Sequence, residues 1–183
     1  MSGAMNTWYT RIRTEIEAQY GDDADLFCDL LAACSPRRQV SANWKLADRI
    51  YTHWTAVVLP VQDWSGTAWE WLGVMTPMRP NVIRALYGEE LSGPKVRAFA
   101  ANLKGDHSQI TVDVWMLKLF NHDKPSAKGR EEVCKFVIRA AEEMGCEPAE
   151  MQAELWAFSI QRAGREPKSY MAAAVKQRQL KLF

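Results

Sequence analysis

The sequence predicts an all-α fold, a compact helical domain in two lobes. Three observations carry this reading. Apolar residues recur at helical spacing along most of the chain. No run alternates apolar and polar residues as a half-buried strand would. Prolines, glycines and small polar residues fall between the apolar stripes, where turns and helix caps belong.

The elements follow in order. Residues 1–24 form an N-terminal helical segment. Asp22-Asp23 precedes a helix from about 24 to 34, which Ser35-Pro36 ends, because a residue before proline disfavours the helical region. Ser41 is positioned to cap the next helix, which runs to about 58 and stops at Pro60. Within it, Ala47, Ile50, Tyr51, Trp54, Val57 and Val58 make one stripe. Gly73 to Pro80 reads as a turn-rich link, and Asn81 opens a short helix reaching Tyr87, stopped by Gly88. A tight hairpin over about 88–96 leads to a helix with Ser92 as N-cap and Pro94 in its first turn, where a missing N–H is harmless. Its stripe is Val96, Phe99, Ala100 and Leu103. Asp113 opens a further helix, and Asn121 to Gly129 is a polar loop. Val133, Phe136, Val137, Ala140, Ala141 and Met144 form a stripe over three turns. Glu147-Pro148 starts a last helix to about 163, and Gly164 to Pro167 ends it. The main helical domain is therefore 25–168, followed by a basic tail, 169–183.

Composition narrows the function. The chain has 183 residues, 48% hydrophobic, with 23 Lys+Arg against 22 Asp+Glu and a net charge of +1. That apolar fraction excludes a wholly disordered chain. No apolar run approaches the roughly 20 residues that span a bilayer, and the first residues lack a signal-peptide core. A cytoplasmic location with no membrane partner is expected. The near-zero charge argues against a uniformly cationic nucleic-acid binder, but the charge is uneven. Residues 1–30 carry two Arg against six Asp and Glu, whereas residues 161–183 carry six Lys and Arg against one Glu. Cys28, Cys34, Cys134 and Cys146 lack zinc or iron–sulfur spacing and read as buried free thiols. His53, His107 and His122 lack metal-ligand spacing, so neither metal nor cofactor is expected.

The informative stretch is 82–120, VIRALYGEELSGPKVRAFAANLKGDHSQITVDVWMLKLF. A hairpin with Gly93 at a helix start offers backbone N–H groups and the positive helix end to a phosphate. Here the chain resembles the helix-hairpin-helix DNA glycosylase superfamily. LSGPKVRAFAANL is similar to the family hairpin LPGVGxKTA, and ITVDVWM to its catalytic segment VDTHV or VDVHM. Asp113 follows Lys95 by 18 residues, close to the separation of the catalytic Lys and Asp in bifunctional members. Upstream, DLLAACSPRRQVSANWKLADRIY resembles the family's first helix–loop–helix. The resemblance covers about residues 25 to 120 in the family's order. The chain departs from it in a shorter hairpin, in Ser-Gly-Pro for Gly-Val-Gly, in Trp115 near the usual His, and in a reduced second lobe.

The resemblance implies roles. Asp113 would stabilise positive charge developing on a sugar, or orient a nucleophile; the alternative is a plain N-cap. Lys95 would attack C1′, the alternative being a phosphate-binding or solvated lysine. Ser92, Gly93, Pro94 and Arg97 would hold the DNA backbone. Arg37, Arg38 and Gln39 would enter the duplex or clamp a phosphate, the alternative being an exposed loop. Trp115 and Cys34 would face the flipped base, while Trp44, Trp54 and Trp156 read as core.

The final residues Gln179, Leu180, Lys181, Leu182 and Phe183 resemble the bacterial sliding-clamp-binding pentapeptide QL[SD]LF, with Gln179, Leu180, Leu182 and Phe183 as anchors. The alternative is a tail folded on its own core. Three functions remain open. The first is a glycosylase, with or without lyase activity, on a modified or damaged base of double-stranded DNA. The second follows from a resemblance to phage thymine-hypermodification proteins of this superfamily: a transferase that displaces pyrophosphate from an activated 5-methyl group, with a free amino acid or amine as second substrate. The third is a non-catalytic DNA-binding module.

Overall fold

The structure is a computed structural model that describes residues 8–56, 64–168 and 170. The described residues are helical and contain no strand. In chain order the helices are α1 (Trp8–Tyr20), α2 (Ala24–Ala33), α3 (Val40–Ala56), α4 (Gly66–Leu72), α5 (Arg79–Leu86), α6 (Pro94–Leu103), α7 (Val114–Leu119), α8 (Ala127–Met144) and α9 (Pro148–Arg162). None is long and apolar enough to cross a membrane. The tail residues Gln179, Leu180, Leu182 and Phe183 lie outside the described residues, as do Val57, Val58 and Pro60.

Helix α2 is the centre. Its sequence ADLFCDLLAA is apolar nearly all round, so it must be enclosed on several sides. It packs against α1, α3, α5 and α6. Phe27, Leu30 and Leu31 are fully buried, and the Phe27 ring stacks on Tyr20 at 3.7 Å between centroids. Trp44, on α3, completes this group and is itself fully buried. Truncating Phe27 or Trp44 to alanine would cost about 3–5 kcal/mol.

A second apolar cluster unites α7, α8 and α9 around Val112, Met116, Leu117, Val133 and Val137. Helix α1 touches α9, whose Ala149 and Ala153 pack with the first cluster.

Several boundaries differ from the sequence expectation, each for a local reason. The α6 N-cap is Gly93 at φ +94, not Ser92. Ser92 is instead gripped through its backbone: its N–H donates to Asn81 Oδ1 at 2.7 Å and its carbonyl accepts from Asn81 Nδ2 at 3.0 Å. Helix α5 begins at Arg79, with Pro80 in its first turn, so Asn81 serves the hairpin rather than a cap. Helix α8 begins at Ala127, because Ser126 Oγ accepts from Gly129 N–H at 3.0 Å and draws the expected loop end into the helix. Helix α4, capped by Ser65, is not marked by the sequence pattern. On α8, Val133, Val137 and Ala141 are buried, but Phe136 and Met144 of the expected stripe are exposed. All four cysteines are free; Cys28 and Cys34 are buried, while Cys134 and Cys146 are only partly so.

Candidate functional site

Asp113 caps α7. Its Oδ1 accepts from the backbone N–H groups of Trp115 at 2.8 Å and Met116 at 3.1 Å. Its Oδ2 accepts from the indole N–H of Trp156, on α9, at 3.1 Å. Three donors therefore fix the carboxylate and spread its charge. The loop leading to it is tied from below by Asn102, which is fully buried. The Asn102 amide nitrogen donates to the carbonyls of Asp106 at 2.8 Å and Gln109 at 3.0 Å, and its oxygen accepts from Thr111 at 3.1 Å.

Lys95 stands in the first turn of α6 and lines the same cavity as Asp113, a space of about 270 Å³. Burial pushes the Lys95 pKa below that of an ordinary lysine, and the negative field of Asp113 opposes this. The cavity lies where α1, α6 and α9 meet. Trp8, Tyr9, Phe99, Trp156 and Tyr170 supply aromatic walls. The Tyr9 hydroxyl donates to Gln152 Oε1 at 2.9 Å and so bridges α1 to α9 across the cavity floor. Burial raises the Tyr9 pKa to about 12, so this tyrosine stays protonated as a donor. Tyr170 accepts from Asn43 Nδ2 at 2.8 Å, and its pKa too is raised by burial.

A second recess, a groove of about 530 Å³, opens on the other side of the Lys95–Asp113 wall. Gly93, Pro94, Arg37, Gln39, Trp115 and Arg130 line it. Ser35, Arg38, Lys95 and Asp113 line both spaces. The groove is cationic: Arg37, Arg38, Lys95 and Arg130 face it against the one carboxylate of Asp113. Gly93 has nothing within 4 Å of where a Cβ would stand, so the hairpin presents open backbone.

The structure thus brings together Lys95, Asp113, Gly93, Pro94, Arg37, Arg38, Gln39 and Trp115. It leaves others apart. Arg97 lines a different groove on α6 and pairs with Glu90 at 3.0 Å. Ser92 is exposed and lines none of these spaces. Cys34 is fully buried, with its thiol pKa pushed up to about 12 by burial, and lines neither recess. Trp115 faces the groove and not the aromatic cavity; Lys118 and Arg165 sit over its ring at 5.1 and 5.4 Å. Trp156, expected in the core, packs against the second apolar cluster and also lines the cavity, as Trp8 does. Trp44 is core, and Trp54 is half-buried beside Trp64.

Sequence reasoning missed Tyr9, Gln152 and Trp156. The only available signal was the spacing of Gln152 and Trp156, four apart and so on one face of α9. Among the described residues no group of His, Cys, Asp and Glu is placed to hold a metal.

Neither a curated protein nor a solved structure matches the chain. One family profile does, over residues 2–163, nearly the whole of it. The chain therefore belongs to the family described as a family of unknown function, DUF7178.

Proposed function

We propose that this protein is a DNA-base enzyme of glycosylase type, acting on a modified or damaged base flipped out of duplex DNA. The observation that carries this reading is the shared cavity. A partly buried lysine and a fixed carboxylate line one aromatic-walled space beside a cationic groove. The aromatic walls suit a planar base, and the groove suits the backbone that delivers it. Gly93 and Pro94 of the hairpin, with Arg37 and Arg38 opposite, would take phosphates.

The chemistry follows from the two groups. The neutral Lys95 amine attacks C1′ as the glycosidic bond breaks. The base leaves with the bonding electrons and takes up the proton that the attacking nitrogen loses. The Asp113 carboxylate stabilises the positive charge on the sugar. Borohydride trapping on duplexes carrying abasic or damaged sites tests this. A covalent adduct that Lys95→Ala abolishes is expected. Absence of both trapping and base release across a substrate panel would sink the reading.

A second reading is favoured by the common wall of the two recesses, which leaves room for two substrates. In it an amine or amino acid attacks the 5-methylene carbon of an activated thymine. The carbon–oxygen bond to pyrophosphate breaks, and Asp113 takes the proton from the new nitrogen. Mass spectrometry of digested DNA separates the two: a heavier nucleoside means transfer, a lost base means glycosylase. The tail ending at Phe183 would tether either enzyme to a sliding clamp, and deletion of 179–183 should abolish clamp binding without changing the fold.

A further inference from the structure

Residues 35–38 form a four-residue turn. The Arg38 N–H donates to the Ser35 carbonyl at 3.4 Å, with Pro36 second and Arg37 third at φ +56. Proline is favoured at the second place of such a turn, and the third requires a left-handed residue. The turn brings Ser35 and Arg38 to the wall shared by the two recesses, which Lys95 also lines.

Three donors on this wall meet no acceptor among the described residues. Ser35 is more than nine-tenths buried, and its Oγ has no hydrogen-bond partner. Arg38 Nε is buried and equally without one. Lys95 has no hydrogen bond or ion pair within the described residues, only the more distant field of Asp113. Buried donors are ordinarily satisfied, and each that is not costs free energy. Two such buried donors, Ser35 Oγ and Arg38 Nε, on one wall with the half-buried Lys95 mark a position that an acceptor fills in the working complex. The one carboxylate on the wall, Asp113, is already held by Trp115, Met116 and Trp156.

The kind of acceptor follows from Arg38. Its Nη2 donates to the Gly73 carbonyl at 2.5 Å, which anchors the guanidinium and leaves the buried Nε–H as a donor without a partner. With the Ser35 hydroxyl and the Lys95 amino group, the wall presents separate donors suited to the several oxygens of a tetrahedral oxyanion.

We propose that Ser35, Arg38 and Lys95 form a binding site for a phosphate-type oxyanion in the wall between the two recesses. The inference rests on this cleft being the working site and, of the two readings above, on the transfer reaction, in which Lys95 is not the nucleophile. The phosphate has two sources: the internucleotide group of a bound duplex, or a free or substrate-borne phosphate.

Calorimetry on the full chain distinguishes them. Inorganic phosphate and pyrophosphate are titrated into the wild type, Ser35→Ala and Arg38→Gln, and a duplex is titrated into the same proteins over a salt series. Ser35→Ala removes only an unpartnered hydroxyl, so it keeps the test valid if Arg38→Gln loosens the Gly73 anchor. Binding of either free anion, weakened at least about tenfold in both variants, assigns a free or substrate-borne phosphate. No free-anion binding, with weaker duplex binding in both variants and a salt slope lower by about one in Arg38→Gln, assigns an internucleotide phosphate. Unchanged affinities for both anions and for duplex overturn the proposal. These readouts need no catalysis, so they fail independently of trapping and of nucleoside analysis.

Discussion

The indole N–H of Trp156 donates to Asp113 Oδ2 at 3.1 Å, across 43 residues of sequence. The bond ties the α7 N-cap to α9 and leaves the carboxylate no freedom to rotate. Asp113→Asn should therefore do more than remove a charge. With its oxygen still serving Trp115 and Met116, the new amide N–H₂ would face the Trp156 N–H, donor against donor. A loss of about 1–2 kcal/mol in denaturant unfolding is expected. Trp156→Phe removes the opposing donor, so the double variant should be more stable than the two single losses summed. Strict additivity would show that the indole contact carries no energy.

Lys95 supplies a pH prediction. Its folded-state pKa is lowered by burial, so the unfolded chain binds more protons in the interval between the folded pKa and about 10.4. Stability from this group therefore rises with pH through that interval and is lowest below it. Lys95→Met removes the penalty. Its melting temperature should exceed the wild type's at pH 7, by on the order of 2 °C, with the difference shrinking toward pH 10. A difference that grows with pH would contradict the assignment.

Tyr9 and Gln152 make a further test. The pair is buried and bridges the first and last described helices. Tyr9→Phe strands Gln152 Oε1 and should cost about 1–3 kcal/mol. Tyr9→Phe with Gln152→Leu should recover part of that loss. Chemical denaturation of the three variants measures it.

Arg37 at φ +56 pays for its turn in backbone strain. Arg37→Gly should be neutral or stabilising, while Arg37→Val should cost on the order of 1–2 kcal/mol. Because Arg37 is exposed, the comparison isolates backbone from packing.

Most of the fold was legible because it is written locally. Asp113 as a cap, Pro94 in a first turn and the α6 stripe are all short-range signals, and each stands in the structure. Helix α4 was not legible: GTAWEWL is short and leaves Trp71 exposed, so it has no clean stripe. Gly129 misled for a different reason. It reads as a loop residue, yet the Ser126 cap draws it into α8, and the His122 ring, 3.1 Å from where a Cβ would stand, leaves no room for a side chain without a shift. For the candidate site, Lys95 and Asp113 stand out through the resemblance to the helix-hairpin-helix glycosylases, and the structure sets both on one cavity. Tyr9, Gln152 and Trp156 do not stand out, because their meeting depends on α1 packing against α9, which no local pattern encodes. Cys34 and Arg97 show the converse: adjacency in sequence to a site does not set which way a side chain faces.

The cavity is walled by Tyr9 near one end of the chain and Tyr170 near the other. During synthesis, α2 through α6 can pack before α9 has emerged. Lys95 and Asp113 then exist for many residues of translation without an enclosed space between them. Only when α9 and Tyr170 arrive does α1 meet α9 and the aromatic wall close. A chain stopped before residue 150 would carry both groups on an open surface, so the enclosed site is a late event in the life of each molecule.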